Sequence, residues 1–224
     1  MKYIAIIMAA FLLSSGGVDL PQQHSLEEYD IVQPGENDSI QPGEYDSIEY
    51  TNPVLAYYET TLDGLESRAS NIVRGVVSND ARNVLHYFPG IDPIPLYSAI
   101  TFEVLEVIQG DGDVKAGDIM TILEPYYIID RILVTRGNYL PSTPHQEYIF
   151  FLGNRVPDTL EEGYGPQGYE GAHFVIHCER GRYLVPNGEV PNIKAYSNKE
   201  LSLGEQDTEL YRSLYQEVVD AYLN

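Results

Sequence analysis

Apolar and polar residues alternate along several short stretches of the chain, which is the pattern of half-buried β-strands. The clearest stretch is 98–108, where Ile100, Phe102 and Val104 fall on one face. Other segments rich in β-branched and aromatic residues, separated by Gly and Pro, predict strands at 71–78, 118–124, 146–152 and, as two short strands, within 172–186. Gly75 predicts a bulge or bend in the first of these. Such a series of strands favours a small barrel or sandwich.

The segment 172–186 has a second feature, because its two predicted strands flank the polar sequence Glu179-Arg-Gly-Arg182. A short polar sequence containing Gly between two strands is typical of a hairpin turn. We therefore expect the two strands to pair with each other.

Helical periodicity occurs on either side of the β-rich region. Residues 60–69 predict a short helix capped by Thr60 or Thr61, with an apolar face formed by Leu62, Leu65 and Ala69. Residues 205–223 contain no Gly or Pro and carry an apolar stripe made of Leu210, Tyr211, Leu214, Tyr215, Val218, Val219 and Tyr222. We expect this stripe to pack on the β-structure; a helix that binds a partner protein is the alternative.

The N-terminal residues 1–17 have the pattern of a secretory signal peptide. Lys2 is followed by the apolar run Tyr3–Leu13, and then by the small residues SSGG. The run has 11 residues, whereas a membrane span needs about 20. The sequence therefore predicts cleavage after Gly16 or one residue later, with no stable membrane insertion of the mature protein.

Residues 18–53 predict an acidic, disordered linker that contains an octapeptide repeat. QPGENDSI at 33–40 is followed directly by QPGEYDSI at 41–48, and Glu28-Tyr-Asp30 resembles a third, decayed copy. Eight residues with one Ile cannot bury a core, and Pro-Gly pairs favour turns. The linker holds nine acidic residues and no Lys or Arg. We expect a solvated spacer; a recognised acidic-tyrosine motif and a calcium-binding tail are the alternatives.

The acidic charge of the chain argues against binding to nucleic acid and to anionic lipid surfaces. The sequence has 34 acidic and 13 basic residues, and the region 54–224 alone has 25 acidic against 12 basic. Proteins that bind nucleic acid need a basic surface to neutralise phosphates, and anionic lipid surfaces attract the same kind of surface. Nucleic acid is therefore not an expected partner.

The order of the predicted elements resembles a known pattern. The strand YSAITFEVLEVIQGD at 97–111 leads through a KAGD turn into the strand DIMTI, preceded by IVRGVV at 72–77 and followed by EYIFFL at 147–152. This pattern resembles uncharacterised secreted proteins of Gram-positive bacteria that are similar to the netrin-like and tissue-inhibitor-of-metalloproteinase-like group. The resemblance covers about residues 60–190. It implies a mostly β fold, a five-stranded OB-like barrel with a short N-terminal helix and a C-terminal amphipathic helix, over residues 54–224.

The inhibitory activity of that group does not carry over to this chain. Those inhibitors chelate the zinc of the protease with a mature N-terminal Cys and are held together by disulfides. This chain has one cysteine, Cys178, and it lies in a late predicted strand. The resemblance therefore implies the fold alone, and a fold does not determine a function.

The histidines and the cysteine do not form a predicted metal or catalytic site. In a strand, His173 and His177 would lie roughly 13 Å apart, too far to share a zinc ion. Cys178 follows His177 directly, so the two side chains would point to opposite faces and could not act as nucleophile and base. We predict no metal site, no cofactor and no cysteine nucleophile, and expect Cys178 to be a buried apolar residue.

The acidic sequence Asp111-Gly-Asp113 is the nearest approach to a calcium loop. An EF-hand needs oxygen ligands at its fifth and twelfth positions, and Lys115 and Ile122 occupy those positions. We predict an acidic hairpin turn instead. The sequence contains no G-x-S-x-G, phosphate-binding glycine loop or H-E-x-x-H. Its 34 acidic residues leave a paired-carboxylate hydrolase open as an alternative.

The candidate binding residues are tyrosines in two predicted loops. One loop follows Pro125 and runs to Tyr139; the other, 161–171, is rich in Gly and Tyr. Rigid aromatic side chains among Gly and polar residues are typical of recognition surfaces, although tyrosine is also ordinary cladding of a barrel. The predicted ligand-binding residues are Tyr126, Tyr127, Asp130, Arg131, Tyr164 and Tyr169.

These observations predict a secreted or cell-wall-associated domain that is not an enzyme. We expect it to recognise an extracellular protein, peptide or glycan. An extracellular hydrolase or a hydrolase or protease inhibitor is the alternative.

Overall fold

The computed structural model describes residues 45–51, 59–186, 193–206 and 208–223. The predicted signal peptide and the first copy of the octapeptide lie outside the described residues, as does most of the predicted linker. Within the described residues there are ten strands, β1 to β10, at Ser47–Thr51, Asn71–Val77, Arg82–Phe88, Ile91–Gln109, Ile119–Glu124, Tyr126–Ile129, Ile132–Arg136, Glu147–Arg155, His173–Val175 and Arg182–Leu184. Two α-helices, α1 at Leu62–Arg68 and α2 at Glu209–Tyr222, complete the fold.

The chain forms a closed five-stranded β-barrel, so the predicted fold class is confirmed. The strands follow the order β2, β4, β5, β9, β8 and back to β2. The β5–β9 pair is parallel, and the other pairs in the barrel are antiparallel. The barrel is consistent with an OB-fold. In that arrangement β2 and β4 are the first two barrel strands, and β8 and β9 are the last two.

The alternation predicted along β4 determines which of its side chains fill the barrel. Ile100, Phe102 and Val104 are buried, whereas Glu103 and Leu105 are exposed. Gly75 lies at a register shift between β2 and β4, as predicted. A Cβ at this position would lie 2.0 Å from the backbone oxygen of Glu103, so only glycine fits this close approach of two strands.

Both predicted helices are present, and both cover the barrel. Thr61 caps α1 by accepting a hydrogen bond from the Gly64 amide at 3.2 Å. The predicted apolar face of α1 is buried in the main core. Helix α2 buries Tyr211, Leu214, Tyr215, Val218 and Val219 in the same core, which confirms that these residues of the stripe pack on the β-structure. Leu210, which was predicted to belong to the stripe, is 37% exposed.

The segment 172–186 is not a hairpin, which corrects the prediction. Strands β9 and β10 each pair with β8 and not with each other. A 3-10 turn at Cys178–Gly181 separates them, and it follows His177 and includes Cys178, both with positive φ. A Cβ at Gly181 would lie 2.1 Å from the Ile176 carbonyl oxygen, so this turn requires glycine. The chain therefore steps along one edge of β8, which lets β9 reach β5 and close the barrel.

A second, three-stranded sheet lies beside the barrel in the order β1, β7, β6. The predicted loop after Pro125 is instead the β6–β7 hairpin. The predicted linker also ends earlier than expected, because Ser47–Thr51 forms β1 and pairs in parallel with β7. Residues 47–48 of β1 belong to the second octapeptide copy. This part of the repeat is therefore a component of the folded domain.

Candidate binding surface

Two connections of the barrel lie side by side. The connection from β2 to β4 contains β3, which pairs with the first half of β4 and forms a hairpin with its turn at Pro89-Gly90. The connection from β8 to β9 spans residues 156–172. Tyr87 and Gly165 join them by two backbone hydrogen bonds, of 2.9 and 3.0 Å. In OB barrels these same two connections carry ligand contacts.

The surface formed by this hairpin and loop exposes large apolar side chains. Ile91 is 59% exposed and Phe88 37% exposed at the hairpin turn, and Tyr164 is 42% exposed in the loop. Exposed carboxylates flank these side chains along the chain, at Asp92, Glu161, Glu162 and Glu170. An apolar centre within a polar, charged border is the usual composition of a protein interface. We refer to these residues as the hairpin–loop surface.

Hydrogen bonds hold the loop in one conformation. At its base, the Val156 amide donates to Ala172 at 2.7 Å, and the Gly171 amide donates back to Val156 at 3.0 Å. Near its tip, the Gln167 side-chain amide donates to the carbonyl oxygens of Glu161 and Tyr164, at 2.9 and 2.6 Å. Because these bonds are already formed, the backbone of the loop is ordered before any ligand contacts it.

Aromatic side chains support the hairpin from below. The His86 ring lies 4.7 Å from that of Phe88 and 6.3 Å from that of Tyr97. The Arg136 guanidinium lies 4.7 Å above the Tyr97 ring and donates to its hydroxyl at 3.1 Å. Burial, together with the nearby charge of Arg136, lowers the pKa of His86. His86 is therefore neutral at neutral pH and acts as an aromatic support.

The hairpin is also attached to the second sheet. The Asn83 side chain accepts a hydrogen bond from the Ile128 amide at 2.9 Å and donates to the Ile128 carbonyl. An amide side chain thus pairs with the backbone of β6 as a strand residue would. This contact connects β3 to the β6–β7 hairpin, in which four of the predicted site residues lie.

The structure does not bring the six predicted site residues together. Tyr164 lies on the hairpin–loop surface, and Tyr169 is half-buried in the same loop, packed against a cluster that includes Val84 and Ala99. Tyr126 is 1% exposed and belongs to a different cluster, with Leu133 and Tyr139. It cannot contact a ligand, because alternation along β6 turns it inward.

The remaining three predicted site residues lie in or beside β6. Tyr127 is half-buried on that strand, and Asp130 and Arg131 form the turn of the β6–β7 hairpin with φ of 48° and 63°. Arg131 binds Asp46, in the second octapeptide copy. Phe88 and Ile91, which are exposed on the hairpin–loop surface, are not among the predicted site residues. Their signal was present in the apolar sequence Phe88-Pro-Gly-Ile91, which surrounds a turn.

A buried ion pair lies outside this surface. Glu124 is 0% exposed and Arg182 1% exposed, and Arg182 Nη1 donates to Glu124 Oε1 at 3.3 Å. Tyr139 and Ser142 also donate to this carboxylate. Burial raises the pKa of Tyr139 well above its ordinary value, so its hydroxyl keeps the proton that it donates. Solvent and substrate do not reach this carboxylate, and its role is structural.

The structure shows the surroundings of His173, His177 and the acidic sequence Asp111-Gly-Asp113. Among the described residues, no group of three or more His, Cys, Asp and Glu could hold a metal ion. Burial lowers the pKa of both His173 and His177. The acidic sequence lies in the β4–β5 hairpin connection, where Asp118 accepts a hydrogen bond from the Lys115 amide at 2.8 Å. This confirms a hairpin turn at that position.

Cys178 is buried, and we expect its thiol to be unreactive. Burial raises the pKa of this thiol to about 12. Since the thiolate is the reactive form, alkylation by iodoacetamide at pH 8 should be roughly a hundredfold or more slower in the native protein than in urea. Mass spectrometry of timed samples measures both rates. Rapid alkylation of the native protein would show that the thiol is accessible and ionised.

Comparisons with known proteins identify no relative of this chain: no family model matches it, and no curated protein matches it at a significant level. Neither helix in the described part of the chain is long and apolar enough to cross a membrane.

Proposed function

We propose that this protein is a secreted or cell-envelope-associated binding domain, without enzymatic activity, that recognises a protein or peptide through its hairpin–loop surface. The observation that carries the proposal is the pairing of Tyr87 with Gly165, which joins the two connections that OB barrels use for ligands. The pattern of a signal peptide at residues 1–17 supports the location.

The exposed side chains favour a protein partner over a glycan. Ile91 is the most exposed of them, at 59%, and an aliphatic side chain has no ring face on which a sugar can stack. Phe88 and Ile91 lie on either side of one tight turn and present a convex apolar contact. A convex apolar turn fits a pocket or groove on another protein, where it can be fully desolvated.

Charge complementarity specifies the partner further. The carboxylates that flank the apolar side chains are all exposed, and the whole domain is strongly acidic. Like charges facing each other across an interface oppose binding, whereas opposite charges speed association and determine the orientation. The partner is therefore a protein segment with apolar side chains at its centre and Lys or Arg around them.

Selection from a random peptide library displayed on phage tests this proposal. Full-length protein, immobilised at its C-terminus, should enrich peptides that combine aliphatic or aromatic residues with Lys or Arg. A glycan array provides the second arm and should give no signal. Enrichment of acidic peptides, or glycan binding without peptide enrichment, would contradict the proposed partner chemistry.

Variants of the surface give a quantitative prediction. Ile91→Asp and Tyr164→Asp should each weaken the binding of a selected peptide by about tenfold or more, because each places a carboxylate in a desolvated contact. Ile119→Asp is the matched control. Ile119 is 65% exposed, begins β5 and pairs with Glu103 in the second half of β4, so it lies away from the hairpin turn at Pro89-Gly90. Fluorescence anisotropy with a labelled peptide measures the affinities, and equal weakening by the control would refute this assignment of the surface.

A further inference from the structure

The edge of β7 binds residues 45–48, the second half of the second octapeptide copy. Ser47 and Ile48, at the end of QPGEYDSI, are the first residues of β1 and pair with Ile132 and Leu133. Tyr45 and Ile48 pack against the cluster that contains Tyr126. The predicted binding residues of the β6–β7 hairpin therefore contact the chain's own repeat.

Arg131 recognises the aspartate of the repeat. Its Nε and Nη2 donate to the two carboxylate oxygens of Asp46, at 2.8 and 3.0 Å, and its carbonyl accepts the Asp46 amide at 2.7 Å. This bidentate arrangement is selective for a carboxylate. The hydrogen bonds from Arg131 also hold the pKa of Asp46 below its ordinary value.

Most of β1 remains in contact with solvent. Ile48 is half-buried, and the other four residues of the strand are exposed. Among the strands of the described residues, β1 pairs with β7 and lies at the edge of its sheet. Its position therefore depends on the backbone pairing, the Asp46–Arg131 pair, the side chains of Tyr45 and Ile48, the contact of Tyr50 with Gly204 and the hydrogen bond from the Thr51 hydroxyl to the Thr135 carbonyl. A sequence that supplies the same groups can compete for the same edge.

The first copy of the repeat supplies most of these groups. Asp38, Ser39 and Ile40 repeat the Asp, Ser and Ile of the docked copy, eight residues earlier. We propose that the β7 edge is a docking site for the repeat and that residues 33–40 of the same chain are its second occupant. When the first copy docks, the chain at β7 is shifted by eight residues, and residues 45–51 are released from β7.

The differences between the copies determine which one occupies the site in the native protein. Asn37 replaces Tyr45, and Pro42 would take the position of Tyr50. Tyr50 lies close to Gly204: a Cβ atom added to Gly204 would lie 2.5 Å from the hydroxyl oxygen of Tyr50. The first copy therefore lacks an aromatic contact at each end, and its proline cannot donate a backbone hydrogen bond. The second copy is therefore the preferred occupant of the β7 edge, and the first copy binds there when the second is displaced.

Disulfide trapping in the full-length chain tests the proposal. Ser47 and Ile132 are direct partners in the β1–β7 register, so Ser47→Cys with Ile132→Cys should cross-link readily. Ser39→Cys with Ile132→Cys should cross-link rapidly only when the first copy docks. Ser25→Cys with Ile132→Cys is the control, because Ser25 lies outside the repeat. The native Cys178 is buried and does not compete.

Two substitutions, each added to the Ser39→Cys, Ile132→Cys chain, should favour docking of the first copy at the β7 edge. Ile48→Asp disables the second copy and should raise the cross-linking rate of Ser39→Cys by about tenfold or more. Asn37→Tyr leaves β1 unchanged and gives the first copy the aromatic side chain that Tyr45 supplies in the second copy. It should also raise the cross-linking rate of Ser39→Cys. It keeps the test valid if Ile48→Asp unfolds the protein. Adding Arg131→Glu should reverse either increase.

The gel mobility and the mass of the cross-linked product decide the outcome. Intramolecular cross-linking of Ser39→Cys that exceeds the Ser25→Cys control with each of the two added substitutions supports the proposal. A rate equal to that control overturns it. Dimers linked between two chains would also overturn it, because the occupant would then belong to a second copy of the protein.

Discussion

Replacing Arg182 with methionine should lower the free energy of unfolding by about 3–5 kcal/mol, because it leaves a buried carboxylate without its counter-charge. The Arg182 guanidinium touches Glu124, donates to the carbonyl oxygens of Leu140 and Ser202 at 2.7 Å each, and lies 4.0 Å above the ring of Tyr139. Methionine can fill part of the space but supplies none of these hydrogen bonds. Urea unfolding followed by circular dichroism measures the loss.

Two further variants separate the charge from the packing. Arg155→Met removes an arginine that is 43% exposed in its side chain, so its free energy of unfolding should change by less than about 0.5 kcal/mol. The double variant Glu124→Leu with Arg182→Met removes both charges and should recover much of the lost stability. If the double variant is less stable than Arg182→Met alone, the ion pair is not the cause.

Replacing Tyr215 with alanine should lower the free energy of unfolding by about 3–5 kcal/mol, because it empties a large volume between α2 and the barrel. Tyr215 is fully buried, its ring lies 5.6 Å from that of Tyr183, and its hydroxyl donates to the Leu184 carbonyl. The same unfolding measurement gives the value.

Leu210→Ala is the matched control on the same helix. Leu210 is 37% exposed, and its loss should change the free energy of unfolding by less than about 0.5 kcal/mol. A large effect at Leu210 together with a small effect at Tyr215 would mean that α2 does not pack on the barrel through the face that carries Tyr215. The helix would then be available to a partner, which was the alternative in the sequence analysis.

The local pattern was sufficient to predict the elements of the barrel. Alternation identifies the buried face of β4, because a strand turns successive side chains to opposite faces. Helical periodicity identifies the buried face of α2 in the same way. A bulge was predicted at Gly75 because a glycine within a strand is costly unless the backbone needs it.

Closure of the barrel and the position of β1 depend on contacts that are distant along the chain. Strands β5 and β9 pair in parallel, and alternation within each strand does not specify its neighbour. The sequence predicts a linker at octapeptide residues such as Ser47 and Ile48, because eight residues cannot bury a core alone. They become ordered here because β7 offers an unpaired edge.

The candidate site was partly accessible to sequence reasoning. The composition of the loop 161–171 singles out Tyr164, but composition cannot show that this loop pairs with Tyr87. Tyr126 was selected for the same reason and is buried, since tyrosine serves both surfaces and cores. The pair between Glu124 and Arg182 was missed because its members are 58 residues apart.

Chemical-shift mapping of the full-length protein with a selected basic peptide tests the central proposal most directly. The proposal predicts that the largest shifts on adding peptide fall at Tyr87–Ile91 and Tyr164–Gly165, and that Ile91→Asp raises the peptide concentration needed to produce them by about tenfold or more. Shifts confined to the β4–β5 turn or to the β7 edge would contradict it, because the peptide would then bind a different surface of the domain.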